Sequence, residues 1–465
     1  MTTRPFNLGE APSDKTIMMP ATTPNVGDAL LVSDTPDGRV QLAFSPPPGA
    51  ATIRRFIRNK TANYTIVFDD LSATIRFTGA AAATLTLPSP AVVGDGWWCV
   101  IQHAGTGTTA AAKKLTITRA VGLIDGLTSF VVYPGDTRTI TSDGVNFYST
   151  LIHGGFLEIN DTDSPFSFVA PTGARVVDFE LWGGGGSGGS GRKGAEGALR
   201  IGGSAGGGGS YVPYSVPFAS IAGLTGTVTV AQRVNGGAPR TTDDGNGSVG
   251  LVGQNTTVSF GVPGFTLSAY GGGRGQGGFN GVVAEGGGGA GVLSAGLSTP
   301  GLVGSPAGLL NASGQFGGGS IGLNGAHGLG SGWGGAGGGG SGLTFSGIGG
   351  SSLKGGPGGG GGGGRMAANT NNGGGNGGGH ANESGGGGAL GAANTPGTDG
   401  LLSDASGVGW GGGGGGAGEL TPGKGGDGGV AAGGGGGGAA INGAGIPSGA
   451  GGRGGPGRVR ITYSP

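Results

Sequence analysis

Four stretches of the chain carry residue spacings associated with chemistry. Gly273, Gly275 and Gly278 match the G-x-G-x-x-G spacing of a dinucleotide-binding turn. That turn works only if a helix follows and offers its N-terminus to a pyrophosphate, and GFNGVVAEGGGG is not a helix sequence. Gly418, Gly423 and Lys424 resemble a phosphate-binding loop, but Gly425 stands where the Mg²⁺-binding hydroxyl belongs and no strand precedes it. Gly185, Ser187 and Gly189 match the nucleophile-elbow spacing without a following helix or a His–acid pair. The segment around Asp427 resembles one calcium-binding nonapeptide turn, yet Pro422 replaces its first glycine and the turn is not repeated. His103, His153, His327 and His380 are scattered without metal-ligand spacing. No enzymatic activity, cofactor or metal is therefore expected.

What remains is recognition chemistry. Flat rings suit sugars or apolar patches, and amides suit hydroxyls. The candidates are Phe279, Phe316, His327, Trp333, Phe345, Arg365, Asn369, Asn371, Asn372, His380 and Trp410, all between glycine blocks. Trp333, Phe345 and Trp410 have an alternative role, sealing the ends of the glycine region or packing between subunits. The polar loops RMAANTNN (365–372) and GHANES (379–384) have no packing role to play and are the stronger binding candidates.

Those loops need a scaffold, and residues 183–457 must supply it. Most of the 126 glycines fall here, in runs such as GGGGSGGSG. Ordering a backbone costs about 1–2 kcal/mol per residue, with glycine at the high end, so the default expectation is a linker. Length and the embedded aromatic residues argue against it. Collagen fails because glycine comes in blocks, not at every third position, and only 25 prolines are spread over 465 residues. A polyproline-II-like helix of glycine has three residues per turn and directs its N–H and C=O groups outward. Without Cβ atoms, neighbouring helices approach closely enough to exchange those bonds. The expectation is a sandwich of polyglycine-II helices with loops at the tips. It is bracketed by the strand-like segments ARVVDFELW (174–182) and GRVRITY (457–463), whose pairing would pin the two ends together.

The rest of the chain reads as β structure. Residues 1–50 form a proline-rich arm in which DALLVSD and RVQLAF flank a turn at Pro36–Asp37–Gly38. Residues 51–155 hold short, evenly spaced strand candidates, with Asp143–Gly144 as a hairpin signal. A small β-sandwich is expected there, with Trp97, Trp98 and Phe147 in its core or at a subunit interface and Cys99 as a buried thiol. Residues 156–465 form the glycine-rich tip domain, with strands over 164–273, including GSVGLVG (247–253), and over 457–463. The fold class is thus mainly β with essentially no α-helix. Lys plus Arg and Asp plus Glu balance at 25 each, so no nucleic-acid partner is suggested.

SFVAPTGARVVDFELWGGGGSGG, GGGGSYVPYSVPF with TGTVTV, and the closing GGRGGPGRVRITY together resemble the glycine-rich C-terminal domain of tailed-bacteriophage tail fibres. YTIVFDDLSATIRFTGAAAATLTLPSPAVVGDGWWCVIQHAGTG and VVYPGDTRTITSDGVNFYST resemble a small β domain of such fibres. The resemblance touches most of residues 56–465. It implies a virion protein at the tail tip, made in the host cytoplasm. It also implies a homotrimer, and contact with a bacterial outer-membrane protein or polysaccharide. Residues 1–50 would then dock onto other tail or baseplate proteins. It supplies no catalytic residue and assigns no binding residue. The alternatives are a structural spacer or cap, an ice-binding face, which would need a regular Thr or Ala array, and a depolymerase, which would need a carboxylate pair in a groove.

Overall fold

The computed structural model describes the backbone of residues 17–18, 29–34, 40–45 and 283. It describes in full residues 56–261, 264–281, 284–296, 331–365, 370–379, 388–400, 408–443 and 445–465. The fold is mainly β. Among the described residues, the α-helix is the short segment Pro90–Val93. The chain divides into two compact units, residues 1–56 and 57–465. In the first, Ala29–Asp34 pairs antiparallel with Val40–Ser45, and Ile17–Met18 adds in parallel; Pro36–Asp37–Gly38 lies outside the described residues.

The second unit begins with a β domain of two facing sheets. Strands Ile57–Lys60, Thr74–Phe77 and Asp95–His103 lie side by side in one sheet, all parallel. Tyr64–Thr65, Ala83–Leu87 and Leu115–Arg119 do the same in the other. The chain therefore winds from sheet to sheet as a short coil. Ser129–Val132, Thr137–Asp143 and Phe147–His153 then close it with antiparallel pairing. The hairpin falls where Asp143–Gly144 signals it, with Gly144 at φ 83° and the Asp143 carboxylate accepting the N–H groups of Val145 and Asn146. The segment FDD forms a 3-10 turn at Phe68–Asp70. Its Asp70 carboxylate accepts the Val67 N–H and pairs with Arg58. Ile75, Phe77, Leu85, Trp97, Cys99, Ile117, Ile140 and Phe147 fill the space between the sheets. Trp97 meets the edge of Phe147 at 6.1 Å and donates to the Phe68 carbonyl at 3.1 Å. Burial pushes the Cys99 thiol far above its ordinary pKa, as an inert core cysteine requires.

A second sandwich follows. One sheet orders Phe156–Asn160, Arg458–Ser464, Val176–Trp182 and Tyr211–Pro217, every pair antiparallel. The bracketing segments therefore pair directly, from Val176 with Ser464 to Trp182 with Arg458. The other sheet orders Phe166–Val169, Thr225–Thr229, Thr256–Phe260 and Thr266–Ala269. Phe168, Phe179 and Phe260 meet edge-on in the core between them.

The two sandwiches are joined by buried polar contacts. The Tyr463 hydroxyl donates to Asp136 at 2.7 Å, and Asp136 pairs with Arg138, which also donates to the Thr172 carbonyl. Lys113 reaches across to Asp163 at 2.6 Å. Charges held dry in this way are strongly sensitive to loss of one partner.

Candidate binding surface

The strands of the second sandwich do not stop at its edge. Trp182 runs into 183–192, and 201–210 runs back into Tyr211. Run 183–192 shows the rule of the array. Gly183, Gly186, Gly189 and Arg192 donate to the carbonyls of Ser210, Gly207, Ser204 and Ile201. Gly184, Ser187 and Ser190 donate to Gln254, Leu251 and Ser248; Gly185, Gly188 and Gly191 donate to Gly455, Gly452 and Gly449. Each phase of the three-residue period addresses a different antiparallel neighbour, which is what a three-residue helix without internal bonds demands. The carbonyls complete the shell by accepting from runs 272–278 and 434–440, both parallel. The pattern spreads outward: Gly356, Gly359 and Gly362 donate to Gly209, Gly206 and Gly203, and Gly412 and Gly415 donate to Gly433 and Gly436. GSVGLVG, expected as a strand, belongs to this array. Gly247, Gly250 and Gly253 donate to Gly278, Gly275 and Gly272, one bond per three residues.

Glycine is required by distance. A Cβ on Gly185, Gly188 or Gly191 would lie 1.8, 2.0 and 2.0 Å from the carbonyl oxygens of Ala432, Gly435 and Gly438. A Cβ on Gly183, Gly186 or Gly189 would likewise lie 2.1, 2.0 and 2.0 Å from a carbonyl oxygen, whereas the phase of Gly184, Ser187 and Ser190 admits serine and uses it. Ser187 Oγ donates to the Asn235 carbonyl and accepts the Leu251 N–H, both at 2.7 Å, and Ser190 Oγ accepts the Ser248 N–H at 2.7 Å. The three-residue spacing of these serines in GGGGSGGSG was the sequence signal for this face.

The array has two ends. At the strand end, Trp182, Tyr211, Val408, Val430 and Ala431 cluster, with Trp333 against them. Trp333 meets Tyr211 at 5.8 Å and Trp182 donates to the Lys354 carbonyl. Trp410 lies at this end too, half-buried, its carbonyl accepting the Gly429 N–H. The structure therefore places both tryptophans beside the sandwich and away from the opposite loops.

At the loop end stand Phe279, Phe345, Arg365, Asn371 and Asn372. Phe345 is 57% exposed and Phe279 half-buried. Asn372 donates to the Leu343 carbonyl. Arg365 corrects the expectation of an exposed loop residue: it is 1% exposed. Its backbone bridges to Arg200 in both directions, and its Nη2 pairs with Glu419. Phe316, His327, Asn369 and His380 lie outside the described residues, as do most of GHANES and the middle of RMAANTNN.

Sequence reading missed the cations of this end. Arg192, Lys193 and Arg200 are buried with Arg365. Lys193 donates to the carbonyls of Thr241 and Gly443 and pairs with Asp243 at 2.7 Å. Arg200 donates to the carbonyls of Gly194 and Ala195. Burial first, and then the like charge of Arg365, lower the Arg200 pKa from its ordinary value. Arg365 Nε and Nη1 and Asn371 Oδ1 are buried without a hydrogen-bond partner among the described residues. This end thus has an exposed aromatic ring at Phe345 and buried guanidinium groups at Arg192, Arg200 and Arg365. No protein-family model matches the chain, and no curated protein matches it significantly.

Proposed function

We propose that the chain is a tail-fibre or receptor-binding protein of a tailed bacteriophage, and that the loop end of its glycine array attaches the virion to a bacterial surface. The reading rests on the sequence resemblance. The observation that supports it best is the three-phase hydrogen-bond array, which is fixed to a strand sandwich at one end and carries polar and aromatic loops at the other. A scaffold of this kind loses little conformational freedom when its loops bind, so contact free energy is retained as affinity. The account includes a homotrimer, whose three copies multiply avidity. Residues 1–50 provide attachment to other tail or baseplate proteins. The receptor is an outer-membrane protein or a polysaccharide, and the protein acts by binding and not by catalysis.

A structural role is the second reading, a cap or spacer of the fibre without receptor contact. It is favoured by the split of the candidate aromatics, since Trp333 packs at the strand end against Tyr211 and Trp182. Sedimentation of the purified full-length chain with bacterial cells separates the two. Saturable co-sedimentation supports attachment; a folded chain that stays in the supernatant with every host of the phage supports the structural role.

A further inference from the structure

We propose that the loop end of the glycine array holds a subsite for an acidic sugar, centred on Arg365 and Asn371 and gated by Glu419. This deepens the attachment reading and rests on it for its biological role, though not for its chemistry.

Arg365 is 1% exposed and uses one terminal nitrogen on the Glu419 carboxylate. Its Nε and Nη1 have no partner among the described residues. A buried guanidinium normally has its donors satisfied, because leaving them unmade costs the full desolvation of the group. Asn371, whose backbone pairs with Arg365, carries an equally unpartnered acceptor, Oδ1. Free donors on Arg365 and a free acceptor on the residue bridged to its backbone describe a ligand that both accepts and donates. Once Glu419 leaves Nη2, a carboxylate or phosphate takes that nitrogen together with Nε or Nη1 in a bidentate fashion, and an adjacent sugar hydroxyl donates to an amide oxygen. An acidic sugar unites the two. A neutral sugar lacks the charge, and a simple anion lacks the hydroxyl.

Glu419 explains how a buried arginine is reached. Its side chain is 55% exposed while that of Arg365 is 1% exposed, so a solvent-accessible carboxylate is what pairs with the buried cation. An incoming anionic group takes the place of that carboxylate. The Glu419 backbone stays tied, its N–H donating to Asn394. Arg200 keeps the local field positive: its backbone is bonded to that of Arg365 and its guanidinium is anchored on the Gly194 and Ala195 carbonyls. Phe345 supplies an exposed ring at the same end.

The test is calorimetric titration of the full-length chain with a hexuronate oligosaccharide, a hexose phosphate and a neutral glucose oligosaccharide of equal length. The subsite predicts binding of one or both acidic probes, weakened by salt, with the neutral probe at least about tenfold weaker, the loss expected when a charge-assisted bond is removed. Whichever acidic probe binds more tightly identifies carboxylate or phosphate as the preferred group. Glu419→Gln should tighten acidic binding, because the competing carboxylate is gone. Arg365→Gln should abolish it, and Asn371→Ala should weaken it while leaving the charge in place. Equal binding of acidic and neutral probes, or no acidic binding by wild type and Glu419→Gln alike, would overturn the subsite. So would acidic binding that survives Arg365→Gln in a variant with an unchanged melting temperature. Phage-adsorption competition separates this from the attachment reading: wild type that blocks while folded Arg365→Gln blocks equally well overturns a role of the subsite in attachment and leaves attachment intact.

Discussion

A Cβ atom built on Gly188 would lie 2.0 Å from the carbonyl oxygen of Gly435, a residue 247 positions along the chain in a parallel run. The neighbouring position, Ser187, carries a side chain without conflict and bonds two other runs with its hydroxyl. Which residue is allowed at each position of this array is therefore set by helical phase.

Substitutions should follow that phase. Gly188→Ala drives a methyl into backbone that belongs to another run, and should destabilise the protein by more than the about 1–3 kcal/mol of ordinary overpacking. Ser190→Ala keeps its Cβ and loses one acceptor for the Ser248 N–H, a loss of about 1 kcal/mol. Thermal denaturation of the two variants checks the order. A Gly188→Ala protein as stable as Ser190→Ala would show that the runs are not packed at this distance.

The Tyr463–Asp136 contact should couple the two sandwiches. Tyr463→Phe removes a buried donor from a carboxylate, at about 1–3 kcal/mol. Asp136→Ala leaves the Arg138 charge buried without its partner, at about 3–5 kcal/mol. Both variants should lower the melting transition, Asp136→Ala by more. Equal and negligible effects would show that the joint contributes no stability.

His103 should make stability depend on pH. Its ring is fully buried, and burial lowers its pKa from 6.5 to about 4. The unfolded chain then binds the proton first, so this contribution is complete above about pH 6.5 and lost as pH falls toward about 4, and it is worth roughly 3 kcal/mol. His103→Gln should flatten the stability profile over that window. An unchanged profile would place the acid sensitivity elsewhere.

Much of this architecture was legible in the sequence because its signals are local. ARVVDFELW and GRVRITY alternate as half-buried strands do, and glycine blocks too long for a linker leave few ways to satisfy a backbone. The parallel coil of the first β domain was not legible, since alternation in segments such as ATIRF and ATLTL reports a buried face and not the direction of the neighbouring strand. GSVGLVG misled for a related reason: Val249 and Val252 read as strand residues but sit in a run that bonds every third residue. Arg365 misled because arginine is usually a surface residue. Only the return of run 355–365 against Arg200 shows that it is buried. The placement of Trp333 beside Tyr211 depends on the same long-range path.

The most direct test of the attachment account is competition for phage adsorption by the purified full-length chain. Dose-dependent blocking of attachment to host cells is the predicted result, lost when the loop-end residues Phe345 and Asn371 are replaced together in a protein that still folds. A well-folded chain that neither binds cells nor slows adsorption at any concentration would contradict it, and would favour a structural role for the glycine array.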